Sequence, residues 1–354
     1  MKILDRYIGW TIIASTATVL VVLLVIFTFF GFLDQLEDLG QGNYGLGKVI
    51  VYVLFSVPNL AYQLFPMAAL IGSLIGFGTM MRNGEIPVIR CVGVSKLRVV
   101  YAVVKAGLIL LAVAMVIGEF IAPPAERFAH DYRTLAINDR ITFKSENGFW
   151  ARDGNSYINI REILPGDQLR DVFIYEFDNA DKLRLSTYAE FARYTGREWV
   201  LQNIAQTELD ADGIKKRTLP EAAWSSILKP DLLQMVTINP DNLSIWSLIK
   251  YSRFLNNNGQ SAQRYEHMMW VKLTYPLATV VMVVLSVPMV MRANRSVSVG
   301  QRVLVGALIG LGFHLLNQAA GHLGIVYDIP PILSATGPAL LMSFAALFLL
   351  ARTP

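Results

Sequence analysis

Long apolar runs without a single charged residue divide the chain, at positions 7–33, 49–81, 273–291, 303–327 and 329–351. Crossing about 30 Å of hydrocarbon takes about 20 helical residues. Each run therefore predicts a membrane span, the 19-residue stretch from Leu273 to Met291 being just long enough. A sixth span is predicted over about Val99 to Ala125, where Lys105 and Glu119 lie near the ends and reach towards the interface. The second run has 33 residues and contains Pro58 and Pro66. Its length and prolines predict a helix on or near the outer interface over Val49 to Val57, then the span proper over Leu60 to Met81. Only Asp328 and Ile329-Pro330-Pro331 separate the last two spans, which predicts a tight hairpin.

Between the third and fourth spans the periodicity changes. From Ile141 to about Ile238 short alternating runs recur, such as Tyr157-Ile158-Asn159-Ile160 and Val172-Phe173-Ile174-Tyr175. They are broken by turn signals at Asp153-Gly154, Pro165-Gly166-Asp167, Thr195-Gly196 and Asp212-Gly213. Period-two alternation with such punctuation predicts an all-β sandwich or jelly roll. Residues 244–272 return to helical spacing and end near Trp270, an interfacial anchor. The expected fold is an α-helical integral membrane protein with six transmembrane helices and an inserted all-β, jelly-roll-like domain. Residues 1–125 hold the first three spans and a loop at 82–98, residues 126–272 the β domain with flanking helical connections, and residues 273–354 the last three spans.

Composition supports this division. Hydrophobic residues make up 54% of the 354 positions and charged residues 16%, well below the roughly 25% charged of soluble domains. Residues 126–272 hold 39 of the charged side chains, 19 basic and 20 acidic, and the other 207 positions hold 19. The net charge of +4 thus comes from the membrane part and is a topology signal, not a sign of nucleic-acid binding. With the N-terminus cytoplasmic, the short loops on that side collect Lys2, Arg6, Arg82, Arg90, Lys96, Arg98, Arg292, Arg295, Arg302 and Arg352. The opposite short loop, 34–48, carries Asp34, Glu37 and Asp38 against Lys48. Both termini are therefore expected in the cytoplasm and the β domain outside it. The first run is longer than a signal-peptide core and has no small-residue cleavage site before Asp34, so it is expected to stay as an anchor.

Candidate chemistry is sparse. The single cysteine, Cys91, excludes an internal disulfide and a CxxC centre, and four histidines leave little for a metal cluster. Gly42 to Lys48 has GxxxxGK spacing, but Val49 follows where a Mg²⁺-binding hydroxyl belongs and no strand precedes it. A flexible turn is the better reading. No GxSxG, HExxH or HxH constellation occurs. His314 and His322 share a face of the fifth span, yet no chain of intramembrane carboxylates accompanies them, so polar packing outweighs a proton relay. No catalytic, metal or cofactor residue is expected. The GxxxG spacings Gly72-Gly76 and Gly306-Gly310 predict close helix approach, within or between subunits.

Three stretches together carry a resemblance. They are Leu4-Asp5-Arg6-Tyr7-Ile8-Gly9, then Ser56-Val57-Pro58 with Phe65-Pro66-Met67-Ala68-Ala69-Leu70, then the Met81 to Val94 loop with Asn83-Gly84-Glu85 and Gly93. With the three-span, β-domain, three-span layout and Ile329-Pro330-Pro331-Ile332, the chain resembles the LptF/LptG permeases of lipopolysaccharide export over essentially its full length. Its opening and Gly40-Gln41-Gly42 look more like the LptG branch.

The resemblance implies a permease subunit of an ABC-type transporter in the bacterial inner membrane, extracting lipopolysaccharide from the periplasmic leaflet and passing it to a periplasmic bridge. The implied partners are an LptF-type permease, two copies of an LptB-type ATPase that holds the Mg-ATP, and an LptC-type single-span protein. The β domain is then periplasmic. The implied coupling residues are Arg82, Asn83, Glu85 and Arg90, with Asn83 capping a helix and Glu85 in its first turn. The implied lipid path runs along the first and fifth spans, through Phe27, Phe30, Phe32, Leu33, Lys48, Phe65 and Arg133. Here the chain departs from its relatives. They place several lysines at the outer end of the first span, where this chain has Gly31, Glu37 and Asp38. The rival to transport is a membrane-anchored adaptor whose β domain only docks a periplasmic partner. A lipid-modifying enzyme is disfavoured by the missing catalytic constellation.

Overall fold

The computed structural model describes residues 2–137, 143–164, 168–178, 182–210, 213–226, 230, 233, 240–292 and 297–352. Among them, six helices are long and apolar enough to cross a membrane. Helix α1 spans Lys2–Gln35 and α2 spans Leu46–Arg82. A short α3, Glu85–Cys91, precedes α4, Lys96–Val116. A π-helical turn, Ile117–Ile121, joins α4 to α5, Ala122–Ile137. After the β domain come α6 (Ile245–Asn257), α7 (Gln263–Arg292), α8 (Val299–Val326) and α9 (Pro331–Ala351).

Helix α2 is the axis of the bundle. Its most apolar stretch is 72% buried, against 11% for α1 and 17% for α8. The core gathers Leu70, Leu74, Phe77 and Met80 of α2 with Val99 and Val103 of α4, Met282 and Val283 of α7, and Phe313 of α8. Both GxxxG stripes are used inside the chain. A Cβ on Gly72 would lie 2.4 Å from the Thr16 Cα, and one on Gly310 would lie 2.5 Å from the Met67 Cγ, so α1 packs on the small-residue stripe of α2, and α2 on that of α8.

One expectation changes. The interfacial helix over Val49–Val57 is not separate, because α2 runs unbroken through Pro58 and Pro66. Proline removes one helical hydrogen bond, a loss that neighbouring helices tolerate in a membrane bundle. The helical connections that flank the β domain are continuous with the spans: α5 runs to Ile137, and α7 already begins at Gln263. The π turn falls just ahead of Pro123-Pro124, whose rings crowd the carbonyls four residues back, at Glu119 and Phe120.

The β domain is all-β in its described residues, as expected. Among them it is a single antiparallel sheet in sequential order: β1 Phe143–Asp153, β2 Ser156–Leu164, β3 Gln168–Phe177, β4 Leu183–Tyr194, β5 Trp199–Asp210 and β6 Gly213–Trp224. Connections this short pair each strand with the next. Alternation identifies the buried face without counting sheets. Ile158, Ile160, Val172, Ile174, Ala189 and Ile204 form that face with Trp199. A crease crosses the sheet. The ladders pair Ile160↔Val172 and Glu162↔Arg170, then Val172↔Ala189 and Arg170↔Phe191, then Ala189↔Ile204 and Phe191↔Gln202. Asp171 and Asn203 lie on the skipped row, with φ of 52° and 54°. Asp and Asn are the side-chain-bearing residues that most readily take this left-handed conformation. The row is pinned by Tyr188, whose hydroxyl donates to Asp171 Oδ1 at 2.6 Å, and by Asn203, whose amide donates to Glu190 at 2.7 Å. The bond to the carboxylate and burial push the Tyr188 hydroxyl up to about 12.

Candidate functional site

At the end of the bundle that carries the chain termini, loop 82–98 folds into α3. Gly84, at φ 78°, turns the chain between α2 and α3, and Pro87 falls in the first turn of α3, where no N–H is needed. Ile86 is fully buried beneath α3 and ties it to the core, a contact worth about 1.5–3 kcal/mol. The other face is open: Val88, Val92 and Leu97 are exposed, as are Arg82, Asn83, Arg90 and Cys91. Exposed valines framed by charges give this face the apolar centre and polar rim that docking surfaces have.

Glu85 lies in the first turn of α3, as expected, whereas Asn83 has a different local role. Asn83 closes α2, and the N-cap of α3 is Gly84. Asn83 Nδ2 donates to Glu85 Oε1 at 3.3 Å, and the Tyr7 hydroxyl of α1 donates to Glu85 Oε2 at 2.9 Å. Glu85 thus links α1 to α3. Nearby, Asp5 Oδ2 accepts from both Arg98 and Lys105, each at 3.0 Å, clamping α1 to α4. Asp5 is not among the expected site residues, yet with Glu85 it is one of the two acids in the strongly basic short loops on that side.

At the β-domain end, the outer halves of α1 and α2 enclose an apolar groove of 460 Å³ lined by residues including Leu24, Thr28, Phe29, Phe32, Val53 and Val57. Of the residues on the expected lipid path, Phe32 lies in this groove and packs towards Tyr44 and Val49. Phe27, Phe30 and Leu33 are exposed on α1 outside it. Phe65 is 3% exposed and lies in the bundle core. Arg133 of α5 is already engaged: it pairs with Asp38, and its guanidinium lies 5.7 Å from the Tyr52 ring centroid. Lys48 sits one helical turn from Tyr52 and is partly exposed. Below this clamp the Tyr44 hydroxyl donates to Gln35 at 3.2 Å, and burial raises its pKa.

A polar belt ties the bundle to α6. Both carboxylate oxygens of Glu119, in the π turn, accept from the Ile245 N–H at 2.9 and 3.1 Å, a charged cap at the positive end of α6. Asn59 donates to Asn242, which donates to Glu126. Glu119 is thus fixed by a structural partner. His314 and His322 are both exposed along α8, and among the described residues no group of three or more His, Cys, Asp or Glu is arranged to hold a metal ion.

A chain of this architecture matches known proteins along its length. The family described as lipopolysaccharide export system permease LptF/LptG covers residues 6–352. The lipopolysaccharide export system permease protein LptG of Escherichia coli (strain K12) is 34% identical over 353 residues, 99% of this chain and 98% of that protein. The protein of the same name from Haemophilus influenzae (strain ATCC 51907 / DSM 11121 / KW20 / Rd) is 32% identical over 351 residues, again 99% and 98%. With the six spans and the inserted sheet in the expected order, the chain belongs to the LptF/LptG family of lipopolysaccharide export system permeases.

Proposed function

We propose that this chain is an LptG-type permease subunit, which extracts lipopolysaccharide from the outer leaflet of the bacterial inner membrane and passes it to a periplasmic bridge. ATP hydrolysis on a separate LptB-type ATPase, two copies per complex, powers the step. An LptF-type permease completes the pathway and an LptC-type protein receives the lipid. The observation that carries the reading is the family match across spans and β domain alike. In reconstituted vesicles holding these partners, ATP-dependent release of lipopolysaccharide to a soluble acceptor is expected to require this chain. Release that persists when its spans are replaced by one anchor helix would make it an adaptor.

In this reading the α3 face, with Arg82, Asn83, Glu85 and Arg90, receives the ATPase in the cytoplasm, and the β domain lies in the periplasm. The ten basic residues in the short loops of the α3 side and the termini support this orientation. Cys91 is the only cysteine and is exposed. A membrane-impermeant thiol reagent is expected to leave it unlabelled in intact spheroplasts and to label it after lysis. Labelling before lysis reverses the topology.

The groove between α1 and α2 takes acyl chains, and Arg133 serves the lipid phosphates by exchanging one anion for another. Asp38 holds the guanidinium until a phosphate competes for it. The two partners are about a quarter exposed, so the pair itself contributes about 1 kcal/mol or less and is easily exchanged. Asp38→Asn is expected to tighten lipopolysaccharide binding by up to about fivefold, and Arg133→Gln to weaken it. Equal weakening by both substitutions would show a clamp with no phosphate role.

A further inference from the structure

The face of the sheet opposite the core carries an unusual set of side chains near the β1–β2 hairpin tip. A hollow of 590 Å³ is lined by Trp150, Arg152, Tyr157, Tyr175 and Phe177, with no aliphatic residue among them. Register explains their meeting: Arg152 pairs with Tyr157 across β1 and β2, and Tyr157 with Tyr175 across β2 and β3. The Trp150 and Tyr175 rings are nearly parallel, at 18° and 6.0 Å between centroids. Phe177 meets Tyr157 edge-on, at 80° and 5.4 Å. Arg152 lies over the Tyr157 ring at 5.4 Å and is fixed by donating from Nε to the Gly154 carbonyl at 3.0 Å. Trp150 remains 50% exposed and Tyr157 39%.

We propose that this hollow binds the saccharide of a phosphorylated glycolipid head group. The identity of that glycolipid rests on the export reading above. Pyranose rings present flat C–H faces that stack on aromatic rings and a rim of hydroxyls that needs hydrogen-bond donors and acceptors. Trp150 and Tyr175 supply adjacent ring faces, Tyr157 a phenol, and Arg152 a guanidinium that suits hydroxyls and phosphates. The charge is complementary, since among the described residues Arg152 is the only charged group lining the hollow and the head group is anionic. The volume lies within the range of small-ligand sites. An acyl-chain site of the same size would be lined by aliphatic residues, as the α1–α2 groove is. The two sites thus divide one amphiphile, tails against the bundle and sugars against the sheet.

The test uses the full chain in detergent with its partner permease and ATPase. The probes are the deacylated, phosphorylated oligosaccharide of lipopolysaccharide, maltoheptaose, and inorganic phosphate. Saturation-transfer NMR is expected to show contact to the pyranose C–H protons of the oligosaccharide, and titration to show weaker binding of maltoheptaose and none of phosphate alone. Trp150→Ala is expected to weaken the oligosaccharide by about three- to tenfold, and Trp150→Phe by less. Arg152→Gln is expected to narrow the gap between charged and neutral sugar. Phosphate binding as well as the oligosaccharide, or wild-type oligosaccharide affinity in Trp150→Ala, overturns the proposal. So does a photocrosslinker at position 150 that captures only a protein chain. Failure here with ATP-driven lipid release intact removes the sugar site alone, whereas loss of release in the wild-type complex removes the export reading.

Discussion

Glu85→Arg is expected to abolish recruitment of the partner ATPase and, with it, ATP-driven lipid release. The carboxylate stands at the start of α3 beside the exposed Val88 and Val92, fixed by Tyr7 and Asn83 on its two oxygens. A carboxylate held this way is pre-oriented for an arginine on the docking partner. Breaking such a pair where the interface excludes water costs about 2–5 kcal/mol, or about 30- to several thousand-fold in affinity. The reversed charge would also sit at the positive end of α3. Tyr7→Phe separates the internal role from the external one. It removes one hydrogen bond, worth about 1 kcal/mol, and leaves the carboxylate in place, so it is expected to lower thermal stability slightly and spare recruitment. Co-purification with the ATPase and lipid-stimulated turnover measure both variants. Normal recruitment in Glu85→Arg, or equal loss in Tyr7→Phe, would assign Glu85 to the α1–α3 contact alone.

The largest effect on stability is expected at Gly72. A Cβ there meets the backbone of Thr16, Cα at 2.4 Å and N at 2.6 Å, so even alanine forces α1 away from α2. Overpacking of a rigid contact costs about 1–3 kcal/mol, and Gly72→Val adds two methyl groups to the same clash. At Gly76 the nearest atom is the Ser15 hydroxyl, at 2.8 Å. Gly76→Ala is therefore expected to recover in part with Ser15→Ala, whereas Thr16→Ala leaves Gly72→Ala unrelieved. Thermal unfolding in detergent, followed by fluorescence-detected size exclusion, reads the two pairs. Rescue of Gly72→Ala by Thr16→Ala would mean that the contact is made by side chains.

How much of this was legible in the sequence differs by the range of the interaction involved. The spans were, because charge-free runs such as 303–327 meet the one requirement that hydrocarbon imposes. Strand positions were also legible: Tyr157 to Ile160 and Val172 to Tyr175 alternate as a half-buried sheet requires. The ends of the helices were not. Hydropathy stops at the membrane surface, whereas the hydrogen bonds of α5 and α7 continue among polar residues. The sheet order was hidden because alternation records which face is buried and nothing about neighbours. At the candidate sites, loop 82–98 could be located by its flanking glycines and charges. The partners of Glu85 and Arg133 could not, since Tyr7 lies 78 residues from Glu85 and Asp38 lies 95 residues from Arg133. Phe65 shows the same limit: an aromatic residue in a span looks alike in sequence whether it faces lipid or its own bundle, and packing places it inside.

The continuity of the helices on either side of the β domain has a mechanical consequence. A flexible tether would absorb motion in the bundle, whereas α5, 16 residues and about 24 Å long, is a stiff rod rooted in the bilayer. A tilt of about 10° at its base carries its far end about 4 Å sideways, by simple leverage over that length. The wider π turn at that base is the compliant joint, and Glu119, bonded across to the first turn of α6, makes the other wall of the frame follow. Small rearrangements at the outer end of the third span are thereby geared up into displacements of the far end of α5 comparable to the spacing between two β-strands.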